Sequence, residues 1–385
     1  MTNVDRNRSR FSALDGLRGI AALAVVFYHV KFPNHFTAYS GRLFKNGYMA
    51  VDLFFILSGF VIYANYSEKI YNAASASRFI VLRFFRIYPL HLAVLFVFVC
   101  AEFTKLLMQS AGIITVDHEP FTEPDIEALA INVLLIQGLF RPLTWNFPSW
   151  SISCEFVAYL LFSAAVLAGM RRRKGFFAIG AVMGIAAYCG LALTQGTLDL
   201  PNWGLVRCLP GFLFGMLIFE FAVGAGGRLL SAQPTMFIAS CEITTVIGIT
   251  LTMWFVSGAA SLSIMPIFMI AVAVLQLDRG PIARFLMWPE VQFLGRISYS
   301  IYMTHAFILL SLAGCVKHAL VPFQINMWIG DGVVLAAVLV VLAVSFVTYT
   351  FIEEPARSYG RRLFAVPTGP GSALLPVSQS STSQS

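Results

Sequence analysis

Arg18 and His29 both fall inside one apolar run, LDGLRGIAALAVVFYHVKFP, residues 14–33. At about 100° per residue, eleven helical steps make about three turns, so the two side chains share a face and stand roughly 16 Å apart along it. A permanent cation and a titratable base therefore lie on one stripe. Five other stretches carry groups of the same kind. NGYMAVDLFFILSGFVIYANY holds Asp52 and Ser58. Asp52 sits near the outer end of its run, as His29 does in the first, with a short loop between them. A carboxylate accepting from one ring nitrogen of His29 would fix the tautomer and raise the basicity of the other nitrogen. An Asp at a helix start also reads as a cap. RFIVLRFFRIYPLH places Arg83 and Arg86 three apart on one helical face. With Arg18 they form either a phosphate clamp, since guanidinium forks bind phosphate bidentately, or a set of anchors to lipid headgroups.

NFPSWSISCEFVAYLLF opens with Ser151, Ser153 and Glu155, a pattern that suits a capping arrangement or a further outer carboxylate. LGRISYSIYMTHAFILL puts Ser298, Tyr302 and His305 on one helical face. TFIEEPARSYGRR closes the last apolar run with Glu353, Glu354 and Arg357, and its Pro355 is expected to end or kink a helix there.

The elements that must position these groups are membrane helices. Hydrophobic residues make up 58% of the chain and charged residues only 12%, with a mean hydropathy of +0.77. That excludes an ordinary soluble enzyme, so the fold class is an all-α polytopic membrane protein. Ten spans are expected near 14–31, 47–65, 87–106, 149–170, 175–194, 204–222, 236–256, 261–277, 293–315 and 328–352. Both termini then face the cytoplasm, and 19 of the 26 Lys and Arg lie inside or at the inner boundary. The net charge of +7 is thus a topology signal and not a nucleic-acid footprint. The segment 126–140 is short, and a crossing there would put the basic run at 171–174 outside. It is read as a re-entrant or interfacial helix behind an acidic loop. The six Cys show no C-x-x-C pairing, and no ligand cluster points to a metal. The first helix is expected to be retained, because no small-residue cleavage site follows it. The chain divides into residues 1–13, a membrane domain over 14–357, and a basic then disordered cytoplasmic tail over 358–385.

Taken together, these stretches resemble the membrane-bound acyltransferase 3 family, which includes bacterial O-acetyltransferases of surface glycans. LDGLRGIAALAVVFYH, GYMAVDLFFILSGFVI, RFFRIYPLH, WSISCEF, and RISYSIYMTH with IEEPAR match its motifs in order from residue 14 to 357. Glu155 is followed by Phe156 where many relatives carry a second acid, and no appended extracytoplasmic esterase-like domain is expected after residue 365. The resemblance implies transfer of an acyl group, commonly acetyl, from cytoplasmic acyl-CoA to a hydroxyl of an extracytoplasmic or lipid-linked glycan in the bacterial inner membrane. Arg18, Arg83 and Arg86 would hold the CoA phosphates. His29 would be the general base, oriented by Asp52 or Glu155, with Ser58, Ser151, Ser153, Tyr302 and His305 supporting. Acyl-CoA is a co-substrate, and no bound cofactor is implied. A non-glycan acceptor and a secondary transporter are the alternatives; the absence of repeated halves argues against the second.

Overall fold

The computed structural model describes residues 11–30, 33–40, 42–114, 121–139, 145–169, 174–197, 199, 201–319 and 327–364. Its helices in chain order are α1 (Ser12–Tyr28), α2 (His35–Tyr39), α3 (Ala50–Tyr66), α4 (Ala73–Ser110), α5 (Glu123–Val133), α6 (Trp150–Leu167), α7 (Lys174–Gln195) and α8 (Gly204–Val223). They continue as α9 (Ala225–Ser231), α10 (Thr235–Phe255), α11 (Ile264–Leu275), α12 (Pro281–Leu286), α13 (Pro289–Ala319), α14 (Met327–Thr348) and α15 (Glu354–Arg362). Among the described residues there is no strand, and nine helices are long and apolar enough to cross a membrane. With its 17 residues, α1 lies at the short end of the range that crosses. Counting it gives the ten elements expected from the apolar runs, and the protein is an all-α, multi-pass membrane protein.

Two elements differ from expectation. The third span starts at Ala73, well before residue 87, because Asn72 and Ser75 form a reciprocal capping box that starts the helix there. At the other end of the chain, Pro355 does not end the helix. A π-helical turn over Tyr349–Glu353 runs without a break into α15, and Pro355 is the second residue of α15, so its missing N–H falls where the regular i to i−4 ladder is already interrupted. Segment 126–140 contains the greater part of the 11-residue α5, which rises about 16 Å, roughly half the hydrocarbon thickness. Its last carbonyls are taken by α4: Tyr88 donates to Val133 O at 2.7 Å and His91 to Asn132 O at 2.8 Å. The basic run at 171–173, residues 115–120 of the acidic loop, and the ends 1–10 and 365–385 lie outside the described residues.

The centre of the bundle is α3, whose apolar stretch is 83% buried against 22% for α7. Backbones meet closely at two helix pairs, where only glycine fits. On α3 and α8, a Cβ at Gly59 would sit 1.9 Å from Phe212 O, and one at Gly215 2.1 Å from Ile56 O. On α1 and α13, a Cβ at Gly19 would sit 2.6 Å from Gly295 N, and one at Gly295 2.3 Å from Asp15 O. Small residues of this kind let membrane helices pack backbone to backbone. The start of α1 is fixed by Asp278, whose carboxylate accepts from Ser12 N at 3.1 Å and Ala13 N at 2.8 Å. Burial pushes the Asp278 carboxyl up, and those two N–H groups act against that rise.

Candidate active site

One large cavity, about 1280 Å³, opens among α1, α3, α4, α6, α13 and the π-turn. Eight basic side chains line it against four acidic ones, and Arg18, Arg83 and Arg86 are all among them. The structure thus brings the three arginines to one space, though they differ in what already holds them. Arg86 donates to Glu353 at 2.7 Å, and Glu353 also accepts from Ser300 at 2.8 Å. Arg83 donates to the Tyr66 hydroxyl at 2.8 Å and stacks over that ring, while its buried Nε has no partner among the described residues. Arg18 faces the cavity with no ion-pair or hydrogen-bond partner among the described residues. Two guanidiniums therefore keep capacity for an anion, and the third is neutralised by a carboxylate.

Glu155 also lines the cavity. Its Oε1 accepts from Ser58 and from Tyr159, each at 2.5 Å. No cap bond is made at the start of α6, so Glu155 is a cavity carboxylate held by two hydroxyls and not half of a capping box. Ser151 and Tyr302 line the same cavity and bond to each other at 2.7 Å, with both hydroxyls within reach of Pro148 O. Ser153 plays a different part: it is fully buried and accepts from Gly138 N at 3.0 Å, which ties the segment after α5 to α6.

Beyond the Ser151 and Tyr302 pair lie two histidines. His29 caps the C-terminal end of α1 and is half-buried; His305 on α13 is fully buried. Their rings are 5.1 Å apart, and His29 Nδ1 lies 3.1 Å from His305 Nε2. Gly19 and Gly295 touch ten residues earlier on each helix, so the two histidines meet because α1 and α13 run parallel and in register. The Tyr302 ring is 5.9 Å from that of His305, which connects the pair to the cavity wall.

Asp52 is held by groups other than His29. It makes no cap bond at the start of α3. Both of its oxygens are taken by Arg207 of α8, at 3.0 and 2.8 Å, and Tyr188 adds a bond at 3.3 Å. Arg207 also donates to Tyr48 O at 2.8 Å, and its Nη1 lies 3.7 Å from Asp199, which accepts from the Tyr28 hydroxyl at 2.7 Å. Arg207 escaped the sequence reading, although it is an ionisable residue inside an apolar run, the same signal that drew attention to Asp52; Glu353 was noted at the close of the last run, but not its pairing with Arg86.

A helical membrane bundle built around a basic cavity, with a histidine pair past its far end, is the frame of a membrane-bound transferase. A family model described as an acyltransferase domain matches residues 11–350, and the chain belongs to that acyltransferase 3 family. It is an enzyme that moves acyl groups, which sets the transporter alternative aside. Protein 2 in the picA locus of Rhizobium radiobacter is 32% identical over 184 residues, 45% of this chain and 92% of that protein. BcsY of Komagataeibacter xylinus, named as a membrane-bound transacylase, is 26% identical over 96% of this chain and 88% of its own length. The O-acetyltransferase OatA of Staphylococcus aureus is 24% identical over 91% of this chain, a match that covers 58% of OatA. No solved structure matches the chain.

Proposed function

We propose that the enzyme carries an acyl group, commonly acetyl, from cytoplasmic acyl-CoA to a hydroxyl of an extracytoplasmic or lipid-linked glycan across the bacterial inner membrane, with both termini cytoplasmic. The observation that carries this reading is the cavity, with Arg18 and Arg83 at its charged part and Ser151 and Tyr302 beside the histidine pair. A CoA thioester has that same polarity: phosphates at one end, a long neutral arm, and the reacting carbonyl at the other. The roughly 16 Å between Arg18 and His29 along α1 suits such an arm. The name of OatA supports an oxygen acceptor and an acetyl group.

In the reaction, His29 takes the proton of the acceptor hydroxyl as its oxygen attacks the thioester carbonyl. The carbon–sulfur bond then breaks, and the same proton passes to the leaving thiolate, so the base is regenerated. Membranes containing the enzyme, given radiolabelled acetyl-CoA, should pass label into an alkali-labile ester of the glycan fraction. Label that stays with CoA, or that appears only in lipid without a sugar, would refute the glycan acceptor.

A further inference from the structure

We infer that His305 is a positioning residue that fixes the tautomer of His29, taking the place that a carboxylate holds in a Ser-His-Asp triad. The inference rests on His29 being the base. Three contacts carry it. His29 Nδ1 lies 2.9 Å from Val25 O, and His305 Nδ1 lies 3.2 Å from Ile301 O. A carbonyl oxygen only accepts, so each Nδ1 must carry a hydrogen. His305 Nε2 is then an unprotonated acceptor, and it stands 3.1 Å from His29 Nδ1. The His29 Nδ1–H is thereby shared between Val25 O and His305 Nε2, and the basic lone pair of His29 is assigned to Nε2.

The reverse arrangement fails at two points. A hydrogen on His305 Nε2 donated to His29 would leave the His29 Nδ1 lone pair against Val25 O and the His305 Nδ1 lone pair against Ile301 O. Both clashes are between acceptors. When His29 Nε2 accepts a proton from the acceptor hydroxyl, the new positive charge is shared through Nδ1–H with two waiting acceptors. This is the service that Asp gives His in a triad, where orientation and tautomer matter more than a second proton transfer. A neutral imidazole can perform it inside a bundle where a lone carboxylate would need a cation of its own. The carboxylate that sequence proximity offered, Asp52, has one in Arg207.

The test is a double-mutant cycle on acetyl transfer from acetyl-CoA to the glycan fraction of the expressing cells. His305→Leu removes the acceptor and should lower kcat by about 10-fold or more, part of the roughly 10²–10⁴ that a general base supplies. Binding of acetyl-CoA should be unchanged, and the acid limb of the pH-rate profile should move to lower pH because the imidazolium has lost a partner. His305→Gln, whose amide oxygen still accepts, should recover part of the rate. In a His29→Ala background, His305→Leu should cost nothing further. Additive losses, or a wild-type pH profile in His305→Leu, would overturn the inference and leave His29 as base. If His305→Leu fails to fold, the pH profile of His305→Gln decides: a wild-type limb with a full loss of rate overturns it. Wild-type turnover in His29→Ala alone would remove the proposed base, and the inference with it.

Discussion

Arg207 holds both carboxylate oxygens of Asp52, at 3.0 and 2.8 Å, and each of the two side chains is 1% exposed. Charges this deep are tolerated only as a pair, because removing one partner strands the other. Asp52→Asn or Arg207→Met should therefore destabilise the protein by about 3–5 kcal/mol. The combined change to Leu and Met should recover most of that, since an apolar pair of similar volume is often neutral. Thermal unfolding in detergent measures both. Single variants with wild-type unfolding temperatures would mean that the pair does not hold α3 to α8.

His29→Ala removes the group proposed to take the acceptor's proton. Turnover should fall by about 10² to 10⁴, with insertion and acetyl-CoA binding retained. Rates by radiolabel transfer and affinity by equilibrium binding separate the two effects. Near-normal turnover would take His29 out of the mechanism.

These two cases show what was legible in the sequence. The apolar runs and their loops marked the spans because composition is local, and helical spacing put Arg18 and His29 on one face. Which residue meets which across the bundle is a tertiary matter. Asp52 points to His29 in sequence because only a short loop separates their runs, whereas in space Gly59 and Gly215 let α8 approach and bring Arg207 onto it. His305 was visible as a polar residue on a helix face. Its approach to His29 depends on Gly19 meeting Gly295, a contact 276 residues apart in the chain, which no periodicity reports. Arg207 was within reach of the rule that an ionisable residue in a span marks a site, but its partner was not.

The three cavity arginines should separate by what they already bind. Arg18→Gln and Arg83→Gln each remove a cation with no carboxylate on it, and acetyl-CoA affinity should fall about 10-fold or more, as expected for a hydrogen bond to a charged group. An acetyl thioester lacking the nucleotide and its phosphates should be used as before. Arg86→Gln should act on folding instead, because it takes the 2.7 Å partner from the buried Glu353 and leaves it only Arg357 at 3.8 Å and the Ser300 hydroxyl. Equilibrium binding and thermal unfolding of the three variants give the answer. Equal loss of affinity in all three, with unchanged stability, would make Arg86 a direct ligand.

The last expectation concerns the helix contact that brings the histidines together. Gly295→Ala would place a Cβ 2.3 Å from Asp15 O, and Gly19→Ala one 2.6 Å from Gly295 N. Both obstacles are backbone atoms, so no side chain can turn aside, and α1 and α13 must separate. Overpacking of this kind costs about 1–3 kcal/mol. The catalytic effect should be larger than that of an equally destabilising change elsewhere, because His29 and His305 sit ten residues along from the contact on parallel helices and move apart with it. Gly314→Ala, on the same α13, meets nothing within 4 Å and should leave the rate unchanged and the unfolding temperature no lower. The measurement is kcat at a temperature where all three variants remain folded by circular dichroism. If Gly295→Ala keeps wild-type turnover and stability, the close approach of α1 to α13 does not set the distance between the two imidazoles.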